Sequence, residues 1–273
     1  MIEQPSTLRL DSAQLASGIR LHYAEAGDPA APPVLMLHGL SDSWFSYSRV
    51  LPALAARYHV YALDQRGHGD SDRPAGGYSM AGMAADAVAF MDAQGLTRAT
   101  VVGHSMGSVV ATELALAAPE RLAALVLVGP NTGWNSPDVA GLQQEVEALP
   151  DPVPAAFARE FQISTAFEPL PEAFLERVVA ESLKLPARVW RAALAGLLAS
   201  DYVGRLGEIT VPALVLGGEE DLYCTAANQR EVAARLGNAE LKLYTRLGHC
   251  PHWERPEAFV EDLEAFLGRV LGA

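Results

Sequence analysis

The 273-residue chain is half hydrophobic and 19% charged, a balance that excludes a disordered chain, and at this length roughly three quarters of the extended surface can be buried. Its 20 basic and 33 acidic residues leave a net charge of −13, which excludes nucleic acid as a partner because phosphates would be repelled. Two cysteines, Cys224 and Cys250, are too few for a disulfide framework, and neither a leader-like apolar start nor a run of membrane-spanning length occurs, so the expected compartment is a reducing cytoplasm.

In chain order, the segments near 6–10 and 19–25 alternate apolar with polar residues, as antiparallel edge strands do. Compact apolar runs follow at 33–39, 59–64, 99–105, 122–129, 212–218 and, more briefly, 241–245. Apolar on both faces, each reads as a central strand of a parallel sheet. Between them, residues 80–94, 106–118, 225–236 and 256–271 carry apolar side chains at helical spacing. Strand alternating with helix predicts an α/β fold with a mostly parallel, doubly wound sheet covered on both faces. Residues 134–205 break the rhythm. Prolines punctuate short amphipathic pieces there, 172–185 and 187–199 read as helices, and no strand is expected. The expected organisation is a core of 1–133 and 206–273 with a helical cap insertion, 134–205, over the carboxyl ends of the strands, where ligand crevices lie in such sheets.

Ser105 falls where the 99–105 strand gives way to a helix, in the pattern Gly103-His104-Ser105-Met106-Gly107. So sharp a reversal crowds the backbone, and a glycine two residues to either side relieves it. The hydroxyl is then raised at the end of the sheet, where the helix N-terminus aims its N–H groups. A serine needs a base, and a histidine titrates near neutral pH. Of seven histidines, His249 follows the last predicted strand on a carboxyl-edge loop, with His252 its rival. His104 is expected to point away into packing, and His59 starts a strand at the wrong end of the sheet. Glu219, Glu220 and Asp221 follow the 212–218 strand, and Asp221, deepest in that loop, is the best group to orient an imidazole.

The stretches LMLHGLSDS (35–43), ALDQRGHGDSDRP (62–74), VVGHSMGS (101–108), LVLGGEEDLYC (214–224) and RLGHCPHWERPEAF (246–259) span nearly the whole chain. Together they resemble the α/β-hydrolase superfamily, in a form with a helical cap. The resemblance implies the α/β-hydrolase fold, with Ser105 as nucleophile, Asp221 as orienting acid and His249, the first histidine of the family's G-H-x-x-x-x-E-x-P ending, as base. It also implies an oxyanion hole built from the backbone N–H groups of Leu40 and Met106, and a metal-free, cofactor-free hydrolase acting through an acyl-serine. Asp64, Arg66 and His68 are expected to shape a turn rather than touch ligand. Serine at the turn separates the chain from haloalkane dehalogenases and epoxide hydrolases, which use aspartate there. Carbon–carbon hydrolases of the meta-cleavage type usually show H-G-x-G-P-G, whereas this chain reads HGLSDSW; the departure favours a carboxylic ester or lactone. A carbon–carbon hydrolase of the meta-cleavage type and a cofactor-free perhydrolase are the alternatives, with a ligand receptor of the same fold behind them. Among the large side chains near loops or in the insertion, which include Phe45 and Trp253, the expected pocket residues are Trp44, Trp134, Trp190 and Tyr223, and the Met106 side chain is expected to face the site. The expected partner is a small molecule, with no nucleic acid and no membrane; a homodimer stays open.

Overall fold

A computed structural model describes residues 8–134 and 136–272. The strands are β1 (Arg9–Gln14), β2 (Arg20–Ala26), β3 (Pro33–Leu37), β4 (His59–Leu63), β5 (Ala99–His104), β6 (Leu122–Val128), β7 (Ala213–Gly218) and β8 (Ala239–Tyr244). They form one sheet in the order β1-β2-β4-β3-β5-β6-β7-β8. β1 and β2 pair antiparallel, as do β2 and β4; every other pairing is parallel. The helices are α1 (Leu51–Leu54), α2 (Met80–Ala93), α3 (Met106–Ala117), α4 (Pro137–Glu147), α5 (Ala155–Ser164), α6 (Glu172–Ser182), α7 (Ala187–Leu198), α8 (Ala226–Arg235), α9 (Pro251–Glu254) and α10 (Pro256–Leu271).

The pleat explains how one sheet supports two cores. Successive side chains point to opposite faces, so Leu35, Leu37, Val101 and Leu125 pack with α2 and α3. Val34, Met36, Val102 and Val126 pack with α1 and α10 on the other side. Central strands are therefore apolar at every position, the pattern that made them readable.

Three expectations need correction. β1 lies at 9–14, later than the segment near 6–10, and residues 6 and 7 lie outside the described part of the chain. β2 is not an edge, since it is paired on both sides. β8 is no central strand: it pairs with β7 alone and exposes Glu240, Leu241 and Lys242. Its apolar residues occur on alternate positions, which is the signature of a half-covered strand.

Between β6 and β7 no strand occurs among the described residues; α4 to α7 fill the interval. The sequence marked α6 and α7 clearly. It left α4 and α5 as unassigned amphipathic pieces, although Ser136 caps α4 by accepting from the Val139 N–H at 3.2 Å. This helical segment docks on the sheet through α7, whose Trp190, Ala193, Leu194 and Leu197 join the same core as α2 and α3.

Candidate active site

The turn from β5 to α3 shows why Gly103 and Gly107 stand where they do. A Cβ on Gly103 would collide with the Gly107 carbonyl, and one on Gly107 would collide with the carbonyls of Leu37 and His38. Ser105 between them adopts φ 53° and ψ −118°, a conformation that costs a non-glycine residue about 1–3 kcal/mol and recurs at functional sites. Its N–H donates to the Val128 carbonyl at 2.9 Å, and its carbonyl accepts from the Ser108 N–H at 2.8 Å. The side chain is thus presented at the carboxyl end of the sheet and the N-terminus of α3.

A cavity opens above this turn, with about 540 Å³ of atom-free space when its mouth to solvent is included, and both Ser105 and His249 line it. His249 Nδ1 lies 2.7 Å from Asp221 Oδ2. A carboxylate only accepts, so Nδ1 carries the hydrogen and Nε2 is left as the proton acceptor. Asp221 is itself fixed: Oδ1 accepts from the N–H groups of Tyr223 at 2.9 Å and Cys224 at 2.8 Å, and Oδ2 accepts from Gln229 Nε2 at 3.4 Å. Glu219 and Glu220, its rivals in sequence, are exposed. Burial alone would lower the His249 pKa, but the charge and hydrogen bond of Asp221 outweigh it and hold the imidazole above its ordinary value.

His252 is placed elsewhere. Its Nε2 lies 3.1 Å from Ser46 Oγ, its ring packs on Tyr47, and burial pushes its pKa down to about 3. The carboxylate partner therefore belongs to His249. Two glycines and a glutamate secure that loop. The left-handed Gly129 (φ 57°) lies so close that a Cβ would sit 3.0 Å from His249 Nδ1. Gly248 faces Thr165 and Phe167 just as closely, which lets the His249 N–H donate to the Thr165 carbonyl at 2.8 Å. Glu254 accepts from Gly248 N–H at 2.8 Å, Phe167 N–H at 2.8 Å and Glu168 N–H at 2.9 Å. The glutamate of the 246–259 motif is thus a staple between the histidine loop and the segment after α5.

The loop after β3 supplies the other wall. His38 donates from Nδ1 to the Gly39 carbonyl at 2.7 Å and accepts on Nε2 from the Gln65 N–H at 3.0 Å, so its tautomer is fixed and it shapes the loop. Leu40 lines the cavity, and Ser41 beyond it has φ 64°. Asp64, Arg66 and His68 do not line it. Asp64 accepts from the Trp44 N–H at 2.7 Å and the Asp70 N–H at 2.8 Å, Arg66 pairs with Asp86, and His68 Nδ1 donates to the Arg66 carbonyl.

Of the expected pocket residues, Trp134 and Tyr223 line the cavity. Trp44 does not: it is buried in the core on the α10 side of the sheet. Trp190 does not either; it is fully buried, edge-on to Phe157 and Phe161. The Met106 side chain is fully buried in the α3-side core rather than facing the site. An aromatic or thioether side chain looks the same in sequence whether it fills a core or a pocket. His104 departs from expectation in the other direction. It is buried, but its ring lies against the His249 loop, 4.8 Å from the His249 ring, and lines the cavity. Sequence reasoning missed Asp42, Phe161 and Gln162; Trp253, noted only as a large side chain near a loop, lines the cavity as well. Cys224 and Cys250 are both buried free thiols in the cavity wall.

A model of the α/β-hydrolase fold matches residues 32–256. The 2-hydroxy-6-oxononadienedioate/2-hydroxy-6-oxononatrienedioate hydrolase of Paraburkholderia xenovorans is 32% identical, with 91% of each chain covered. A Caulobacter vibrioides protein bearing the name "Putative carbamate hydrolase RutD" is 34% identical over 90% of this chain and 95% of its own. Among solved structures, Est816, described as an N-acyl homoserine lactone degrading enzyme, superposes with a TM-score of 0.81 at 30% identity, covering 94% of this chain and 100% of that one. The eight-stranded sheet, the strained serine turn and these likenesses have one reading: the chain belongs to the α/β-hydrolase family and is an enzyme of that family.

Proposed function

We propose that the protein is a serine hydrolase that cleaves an uncharged carboxylic ester or lactone through an acyl-serine. The observation that carries this reading is that His249, bonded at 2.7 Å to the buried Asp221, faces the same cavity as Ser105. Ser105 attacks the carbonyl carbon while His249 Nε2 takes its proton. Asp221 holds the imidazole in the required tautomer and stabilises the imidazolium. The N–H groups of Leu40 and Met106 receive the developing oxyanion, helped by the N-terminal end of α3. The imidazolium then protonates the leaving group, and water repeats the sequence on the acyl-serine.

The lining of the cavity supports this reading over the dicarboxylate chemistry of one relative. A nonadienedioate carries two carboxylates, yet neither lysine nor arginine is among the described residues that line this cavity, and the one carboxyl among them is Asp42. Anionic substrates would enter without a counter-ion. The apolar residues Leu40, Val139, Leu142, Phe161, Leu194 and Leu197 instead suit an uncharged acyl or alcohol group. The identity to the nonadienedioate hydrolase supports carbon–carbon hydrolysis as the second reading. In the proposed serine hydrolase, residues 134–205 serve as a cap over a core of 1–133 and 206–273, the partner is a small molecule, and the two free thiols suit a reducing cytoplasm. No described helix is long and apolar enough to cross a membrane.

The test is a panel of short p-nitrophenyl esters, a lactone and a vinylogous diketone dicarboxylate, with Ser105→Ala as control. Turnover of the neutral esters, lost by about 10⁴–10⁶ in the variant, is expected. Preference for the dicarboxylate would favour carbon–carbon cleavage, and a stoichiometric burst without turnover would indicate a receptor.

A further inference from the structure

Asp42 is 3% exposed and stands in the cavity wall directly beside the serine turn. A Cβ on Gly39 would lie 3.3 Å from Asp42 Oδ2 and 3.2 Å from Ser105 Cβ, so the carboxyl and the nucleophile flank one point. Its hydrogen bonds are few. Oδ1 accepts from Gln162 Nε2 at 3.1 Å, and Oδ2 accepts from Ser46 Oγ at 3.3 Å. Across from Oδ2, 3.9 Å away, is His104 Nδ1. His104 Nε2 lies 3.0 Å from the His249 carbonyl, which can only accept. Nε2 therefore carries the hydrogen, and Nδ1 presents a lone pair toward Asp42. His104 Nδ1 has no hydrogen-bond partner, nor does Oε1 of the fully buried Gln162, which also lines the cavity.

Buried acceptors without donors are costly. Here two, His104 Nδ1 and Gln162 Oε1, stand beside the reacting carbon; Asp42 Oδ2, held only by the long bond from Ser46 Oγ, faces the first, and no lysine or arginine is among the described residues that line the cavity. We propose that Asp42, His104 and Gln162 form a polar subsite that receives an O–H or N–H donor carried by the substrate next to the scissile carbonyl, which makes hydroxy-acyl or amino-acyl compounds the preferred substrate class. A donor atom to one side of the line joining Asp42 Oδ2 and His104 Nδ1, which are 3.9 Å apart, comes within hydrogen-bond distance of both acceptors. The inference rests on the serine-hydrolase reading and adds to it the chemistry of the acyl group. Burial pushes the Asp42 carboxyl up to about 7, against the opposing hydrogen bonds of Gln162 and Ser46 and the charge of His249.

Phenyl glycolate and phenyl propionate test this, since they differ by a hydroxyl in place of a methyl of similar size. The quantity read is the ratio of their kcat/KM values, compared between the parent and Asp42→Asn; the comparison cancels the intrinsic reactivities of the esters. Asn is isosteric and brings its own N–H₂ into the gap. The glycolate-to-propionate ratio should fall by about tenfold, the scale of one hydrogen bond to a charged group. A ratio unchanged within about twofold, or an equal loss on both esters, would overturn the proposal. A second measurement does not depend on turnover. Ser105→Ala protein titrated calorimetrically should bind glycolanilide about tenfold more tightly than propionanilide, and this margin should vanish in Ser105→Ala/Asp42→Asn. Equal affinities for the two anilides in Ser105→Ala would also sink it. Failure of the serine-hydrolase reading has a different signature, namely ester turnover that survives Ser105→Ala.

Discussion

At the scale of single residues, the site is a set of conformations and charges that only its neighbours make tolerable. In the proposed reaction His249 acts as the base and must be neutral, and Asp221 holds its pKa above the ordinary 6.5. kcat/KM should accordingly rise with pH with a midpoint above that value. Asp221→Asn should lower both the midpoint and the rate, as a pH–rate profile on a neutral ester would read. Asp42 makes an independent prediction about stability. Its folded-state pKa, about 7, lies above the unfolded carboxylate value, so the native protein holds a proton that the unfolded chain releases. Stability from this group is therefore lost as pH rises from about 4 to about 7. Asp42→Asn cannot titrate, so its melting temperature relative to the parent should improve between pH 4 and pH 8; a parallel pair of curves would contradict the burial cost. Gly129→Ala should crowd His249 Nδ1 and lower kcat while leaving the fold intact by circular dichroism. Residue-level legibility followed the same logic. Ser105 was readable because crowding at the turn leaves only glycine at 103 and 107. Asp221 was readable because its loop follows an apolar strand. Asp42 and Gln162 were not, since 120 residues separate them and only tertiary packing makes them partners.

Among the elements, the decisive joint is between the segment after α5 and the loop that carries His249. Glu254 accepts three backbone N–H groups across it, and the His249 N–H is held by Thr165. Glu254→Ala leaves those donors unpaired. At about 1 kcal/mol for each lost hydrogen bond, the variant should lose about 3 kcal/mol of stability in chemical denaturation. It should also lose more kcat than KM, because the proposed base, His249, is mispositioned rather than the substrate expelled. The strands were legible where burial on both faces removes polar positions, as in β5 and β6. β8 was misread because a four-residue alternation resembles a short apolar run. α4 and α5 were blurred because short amphipathic helices between prolines carry weak periodicity. Trp44 and Trp190 were assigned to the wrong layer for a related reason: apolar bulk reports burial but not which cavity it borders.

Across the whole molecule, the fold class followed from the alternation of apolar runs and helical spacing. The interior lining of the cavity did not, since it joins side chains from both halves of the chain and the intervening helices. The thiols provide a check at this scale. Titration under denaturing, non-reducing conditions should find two free cysteines, and none would mean that Cys224 and Cys250 are bridged. The strand order has one more consequence. Ser105 follows β5, Asp221 follows β7, His249 follows β8, and Leu40 and Asp42 follow β3, so four strands spread over half the width of the sheet each hold a piece of the proposed reaction centre. No fragment of the architecture can then turn over substrate by itself. Catalysis is a gauge of global integrity, and its loss in urea should coincide with the collapse of the far-ultraviolet signal rather than precede it.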